Sequence, residues 1–382
     1  MIVVELLILI LSSILVFVHR SFILKLILLI VLYPALILVL FRNGVLMPGT
    51  LEFNRNFFSE DVLVYADFYY LIGLLIFNVV LWPYRNRIYS FRPIRLGLTT
   101  RFVLFVFFCL SSIPVFNIHN ADANIKSATF YLVFSVILIL TTSKKDIVWW
   151  GQLFVLLFVI LNGERVDSLL SSVFLFIMVW NRKGNAEILK RGKIYIGCFF
   201  FFFLLVAVGF FRNDDELSYQ LLLKALYSQQ TVCDVVYIYL TGVSYFFESG
   251  SNPTVLYNLL GGLIPGPTSG VSSMFYYGNI LHQYMPNPGG GLFITEGMLW
   301  AGGIGVLLYF YLYGVLLKFL FSGQSLYKKS IFILFVVMQC RIVWYGLIYT
   351  YKPILLLLVF SMIIRKMSFK SKINGLKCNY SK

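Results

Sequence analysis

Apolar stretches of about 15 to 20 residues follow one another along the whole chain, separated mostly by short turns that hold its charges. A helix rises about 1.5 Å per residue, so about 20 such residues match the ~30 Å hydrocarbon core of a bilayer. Inside that core every peptide N–H and C=O must be satisfied within the segment or in a closed barrel, and apolar runs this long point to helices. The residue types agree: 60% are hydrophobic and only 12% charged, against about a quarter charged in soluble domains. The sequence therefore predicts an all-α polytopic membrane protein. The first apolar run does not read as a cleavable signal, because nothing basic precedes it and no small-residue cleavage site follows.

Eleven spans are predicted, roughly Ile2–Val18, Phe22–Leu40, Tyr65–Trp82, Phe102–Phe116, Ala128–Leu140, Ile147–Leu161, Val166–Trp180, Ile194–Phe211, Leu292–Phe321, Ile331–Ile348 and Pro353–Ile364. The shorter ones need tilt or flanking polar residues to match the bilayer. The turns alternate in charge. Arg20 and Lys25 mark one basic turn, Arg85 to Arg101 a second, Lys144 and Lys145 a third, Arg182 to Lys193 a fourth, and Lys328 and Lys329 a fifth. With the basic tail they form one set, which the positive-inside rule assigns to the cytoplasm. That leaves the N-terminus outside and the C-terminus inside. The chain then divides into residues 1–211 with eight spans, an outer loop at 212–291, residues 292–364 with three more spans, and a basic cytoplasmic tail at 365–382. A rival reading turns Val232–Phe247 into a twelfth span; Asp234 in that run and the charge alternation without it count against this.

The net charge of +15 does not signal a nucleic-acid partner, because its basic residues sit in short turns and no soluble basic domain exists to grip a duplex. Cys109, Cys198, Cys233, Cys340 and Cys378 are scattered, without a CxxC pair, and His19, His119 and His282 are equally dispersed. Neither set has metal-ligand or disulfide spacing. Asp214-Asp215-Glu216 lacks the frame of a calcium loop and reads first as a solvated helix start. No GxSxG elbow, P-loop or HExxH occurs. The sequence thus predicts no metal and no organic cofactor.

The outer loop of about 80 residues is far longer than an ordinary connection. It contains a predicted helix around Leu221–Phe247 and ends in the Pro/Gly-rich segments LIPGPTSG and MPNPGGG. Three arginines stand apart from the basic turns: Arg165 in a break between two spans, Arg212 at the loop entrance, and Arg341 near the outer end of the tenth span. A guanidinium at that depth is costly unless it pairs or serves an anion, and its planar fork suits phosphate oxygens. Local ion pairs with Glu164, Asp167, Asp214 or Asp215 are the plainer account of Arg165 and Arg212. Glu296 opens the ninth span and is the first acid after 47 residues without one. It reads either as a general base for a sugar hydroxyl or as a carboxylate favoured by the helix dipole. His282 is the other candidate base, or a surface hydrogen-bonder. Tyr276, Tyr277 and Tyr284 are placed to stack on sugar faces or to anchor the loop at the interface.

These features resemble the Wzy family of O-antigen and capsule repeat-unit polymerases, which are related to O-antigen ligases and shape-elongation-division glycosyltransferases. The resemblance rests on ten or more spans, a large late loop, Gly163 and Arg165 opening a span, and Arg212 at the loop entrance. It extends to the approach from Pro286 through Gly291 into Glu296, followed by Gly302-Gly303-Ile304-Gly305. It implies a GT-C-like glycosyltransferase of the bacterial inner membrane, acting on the periplasmic side in lipopolysaccharide or capsule biosynthesis. Donor and acceptor would be undecaprenyl-pyrophosphate-linked oligosaccharides, with Arg165, Arg212 and Arg341 on the pyrophosphate. A chain-length regulator, a flippase and membrane lipids would be its neighbours. A ligase using lipid A core as acceptor is the nearest alternative, and a transporter or flippase a more distant one. Family relatives carry Asp or His just before the corresponding span where this chain has Pro288 and Gly289, so Glu296 and His282 both stay open as the base.

Overall fold

The computed structural model describes residues 2–44, 58–87, 96–112, 132–141, 230–257, 280–281, 291–323 and 325–379. Among these residues the structure is all-helical, with no strand. The helices are α1 (Ile2–Val18), α2 (Phe22–Arg42), α3 (Glu60–Leu81, continued by a 3₁₀ turn at Trp82–Tyr84) and α4 (Leu98–Ser112). After them come α5 (Leu132–Thr141), α6 (Gln230–Ser249) and α7 (Thr295–Phe321). The last three are α8 (Leu326–Val337), α9 (Gln339–Tyr345) and α10 (Ile348–Asn379). Among the described helices, α2, α3 with its turn, and α7 are long and apolar enough to cross a membrane, while α1, α4, α5 and part of α10 are shorter apolar helices. The protein is an α-helical membrane protein. The predicted sixth, seventh and eighth spans lie outside the described residues.

The chain forms two compact units. The first comprises residues 1–88, 216–319 and 339–351. Here α1, α2 and α3 pack side by side, and α1 turns Leu6, Leu7, Ile10, Leu11, Ile14 and Phe17 outward. Exposed apolar side chains of that density belong in lipid. At one end of this trio the Arg20 amide donates to the Arg85 carbonyl at 2.6 Å, and Arg85 and Arg87 lie over Trp82 and Tyr84 at 4.5 and 4.8 Å. Two of the predicted basic turns thus share one end. The opposite end holds Glu5, Arg42 and Glu60. There α3 starts with Ser59 accepting from the Val62 amide at 3.4 Å, followed by Glu60 and Asp61 in the first turn. That is the capping and charge pattern a helix N-terminus favours. Pro34 sits inside α2 and is buried there, as membrane helices tolerate.

Within the predicted loop, α6 lies against α2 and α3. Tyr239 donates to the Ala66 carbonyl at 3.3 Å, and the Tyr237 ring meets Phe58 at 4.9 Å. Residues 221–229 of the predicted helix lie outside the described residues, and α6 is not among the helices apolar enough to span.

The second unit comprises residues 89–215, 320–338 and 352–382. Aromatic contacts join its helices: Phe107 stacks on Phe134 at 5.6 Å, Phe134 meets Phe360 edge-on at 5.2 Å, and Phe321 meets Phe332 at 5.5 Å. Ser330 and Ser361 share a buried hydrogen bond at 3.3 Å.

Three predicted boundaries differ. The ninth span is not one helix from Leu292 to Phe321, because Ala301 (φ −143°, ψ 22°) and Gly302 (φ 61°, ψ −144°) break α7. The tenth divides into α8 and α9 at Met338. The apolar part of the eleventh, Thr350–Ile364, agrees with the predicted span, but its helix α10 starts earlier, at Ile348, and continues to Asn379. Charge alone does not end a helix; Lys and Arg are good helix formers.

Candidate functional site

The break in α7 places Glu296. Residues 295–300 form a short half-helix that folds back along the longer half, 303–321. The two backbones touch where Gly297 meets Gly305: a Cβ built on Gly297 would lie 2.6 Å from the Gly305 carbonyl oxygen. No side chain fits at either position. Gly302 supplies the positive φ of the reversal, and Phe246 of α6 covers it so that a Cβ would lie 2.5 Å from the ring. Tyr65 Oη accepts from the Gly303 amide at 2.9 Å and so satisfies one orphan donor at the start of the longer half. The Leu299 carbonyl is taken by the Asn252 amide at 2.7 Å.

The fold-back carries the segment before Glu296 inward. Phe293 packs on Phe310 and Tyr313, with ring centroids 5.1 and 5.4 Å away. Its amide donates to the Val343 carbonyl at 3.0 Å, and the Gly291 amide to the Trp344 carbonyl at 2.8 Å. Those carbonyls are free because α9 ends at Gly346, which has φ 87°. Glu296 itself is 0% exposed. Tyr309 donates to its Oε2 at 3.3 Å, and the Cα of Gly346 faces its other oxygen, leaving 4.0 Å from Oε1 to a Cβ placed there. Tyr351 is close enough to feel the carboxylate's charge. Glu296 therefore sits inside the helix packing, against the Tyr309 side chain and the Gly346 backbone.

Arg341 is half-buried on α9, between Gln339, which accepts from Tyr313 Oη, and Gly346, which faces Glu296. The structure thus brings two of the predicted site residues, Glu296 and Arg341, onto a pair of packed segments, with Glu296 buried and Arg341 half-buried. On these segments Thr295 Oγ1, Gln339 Nε2 and Trp344 Nε1 are buried without a hydrogen-bond partner. Buried polar groups left unused are uncommon and mark strain or a missing ligand. His282, Arg165, Arg212, Tyr276, Tyr277 and Tyr284 lie outside the described residues. Sequence reasoning missed Tyr309, Thr295, Gln339 and Trp344. The one available signal was the glycine density at Gly297, Gly302, Gly303 and Gly305, which marks a backbone break more than a smooth span.

Among the described residues no group of three or more His, Cys, Asp and Glu side chains is arranged to hold a metal ion. Compared with known proteins, the chain matches no family model, no curated protein and no solved structure.

Proposed function

We propose that this protein is a membrane glycosyltransferase that polymerises lipid-pyrophosphate-linked oligosaccharide repeat units on the periplasmic face of a bacterial inner membrane. One observation carries the reading: a fully buried carboxylate, Glu296, set on a fold-back segment that packs on α9, the two segments also carrying unused hydrogen-bonding groups of Thr295, Gln339 and Trp344. Those groups suit a hydroxyl-rich ligand. In this reading the acceptor sugar's hydroxyl gives its proton to Glu296 as its oxygen attacks the anomeric carbon of the donor. The bond from that carbon to the lipid pyrophosphate breaks, and the departing oxyanion is held by guanidinium groups, Arg341 with Arg165 and Arg212. Tyr309 fixes the carboxylate's orientation. His282 is the alternative base. The eleven-span arrangement with the N-terminus outside belongs to the same proposal, since it puts the loop and the donor's pyrophosphate on one side.

A second reading has an observation of its own. A discontinuous helix with a buried acid is also the construction used by secondary transporters, and Glu296 provides it here.

One experiment separates these readings. Deleting the gene in its host and separating the surface glycans by size should leave single repeat units on the lipid core. Glu296→Gln, expressed at normal abundance, should fail to restore long chains, with polymerisation reduced about 10²–10⁴-fold. Bare core in the deletion strain would instead favour a ligase, and repeat units trapped on the cytoplasmic side a transporter. Normal long-chain polymer from well-expressed Glu296→Gln would remove Glu296 from the mechanism.

A further inference from the structure

Four ionisable side chains meet at the acidic end of the first three helices. Arg42, the last residue of α2, pairs through Nη1 with Glu5 of α1. Its Nε and Nη2 both donate to Glu60 Oε1 at 3.2 Å. Nη1 also stands 3.7 Å from Asp67 Oδ2 of α3, an ion-pair distance too long for a hydrogen bond. Glu5, Arg42 and Asp67 are 5%, 7% and 1% exposed, whereas the Glu60 side chain is 57% exposed and keeps its solvation.

The buried charges do not balance. Two carboxylates face one guanidinium, and the Arg42 donors are divided between Glu5 and the exposed Glu60. Glu5 Oε2 and Asp67 Oδ2 are both buried with no hydrogen-bond partner. Among the described residues no second basic side chain pairs with the cluster. Two buried phenols of this unit are committed elsewhere: Tyr70 donates to the Val31 carbonyl at 2.9 Å and Tyr239 to the Ala66 carbonyl at 3.3 Å. Phe41 and Phe58, 6.4 Å apart, add apolar cover at this end. An uncompensated buried carboxylate costs several kcal/mol, so such a group takes up a positive charge when one is at hand.

We propose that Glu5 and Asp67 together bind one monovalent positive charge, a proton or a sodium ion. The two carboxylates meet through Arg42 Nη1, and each keeps one unpartnered oxygen: either oxygen can accept a proton, and the pair offers two of the hard oxygen ligands a sodium ion takes. Because one oxygen belongs to α1 and the other to α3, occupancy holds α1 against the rest of the trio. The site is separate from Glu296 and does not depend on the glycosyltransferase reading.

The test is the thermal midpoint of the purified full-length protein in detergent, with sodium chloride exchanged for choline chloride at constant ionic strength, and with pH varied between about 7 and 9. A sodium site raises the midpoint with sodium, on the order of 3 °C once sodium exceeds its dissociation constant about 100-fold. A proton site leaves sodium without effect and makes the midpoint fall as pH rises, about 2 °C per pH unit, because the folded chain then holds a proton that the unfolded chain releases. Asp67→Asn keeps the shape and removes the charge, and whichever dependence is seen should vanish in it. Glu5→Gln is the second variant, used in the same way should Asp67→Asn fail to fold. A wild-type midpoint indifferent to both sodium and pH would overturn the proposal. So would the same dependence persisting in both variants.

Discussion

His19 shows what a single residue's surroundings do to its chemistry. It lies in the turn between α1 and α2, 1% exposed, with neither ring nitrogen hydrogen-bonded. Burial, then the positive charges of Lys25 and Arg85, push its pKa down to about 4 from an ordinary 6.5. The folded protein therefore keeps His19 neutral between about pH 4 and 6.5, where the unfolded chain protonates it. Stability contributed by the neutral ring is complete above about pH 6.5 and is lost as the pH falls toward 4, by on the order of 2 kcal/mol after allowance for solvent near the turn. Unfolding of wild-type protein and His19→Asn across that range should show the slope in the first and its loss in the second. At the same scale, Tyr309 was not legible beside Glu296. Partners on one straight helix are three or four residues apart, and these are thirteen apart.

At the scale of the element, the fold-back in α7 depends on two glycines in different ways. Gly302→Ala must hold a positive φ with an extended ψ, a region kept almost wholly to glycine, at a cost of about 1–3 kcal/mol, and displace the Phe246 ring. Gly305→Ala has a harder neighbour, because its methyl group would strike the Gly297 backbone, which has no rotamer to escape into. Gly314 is the comparator: a Cβ there meets only Val80 and Phe77 side chains, at 3.1 and 3.2 Å. In detergent, Gly305→Ala should lower the unfolding midpoint most, Gly302→Ala less, and Gly314→Ala least. Equal midpoints for the Gly305 and Gly314 variants would mean that the two halves of α7 do not touch. The sequence marks this stretch as apolar enough to span, and it is; hydropathy is blind to a break that costs no polarity.

At the scale of the whole molecule, the charge alternation sets an orientation. On the proposed topology 23 of the 31 Lys and Arg lie on the cytoplasmic side, against two of the 16 acids, Asp146 and Glu187. The hydrogen bond between the Arg20 amide and the Arg85 carbonyl puts two of those basic turns at one end of the α1–α3 trio, with Glu5 and Glu60 at the other. Ser251 is exposed just beyond α6, and Ser371 lies in the basic stretch of α10. In an otherwise cysteine-free chain, Ser251→Cys should label with an impermeant thiol reagent added outside intact cells, and Ser371→Cys should not. The reverse pattern would invert the molecule and remove the periplasmic reading of the loop.

The sequence by itself determined that this chain is helical and belongs in a membrane, and which of its turns form the basic set. Those properties are sums over many residues of hydropathy and charge, so no contact between distant segments is needed to read them. It also singled out Glu296 and Arg341 as charges in apolar surroundings. The complete burial of Glu296, its hydrogen bond from Tyr309, and the convergence of Glu5, Arg42 and Asp67 were decided only by the tertiary structure. Each depends on which helix faces which, and on a chain reversal at Ala301 and Gly302. In lipid, apolar faces are nearly interchangeable, so the pairing of helices is settled by close backbone approach and by the few polar groups that must find partners.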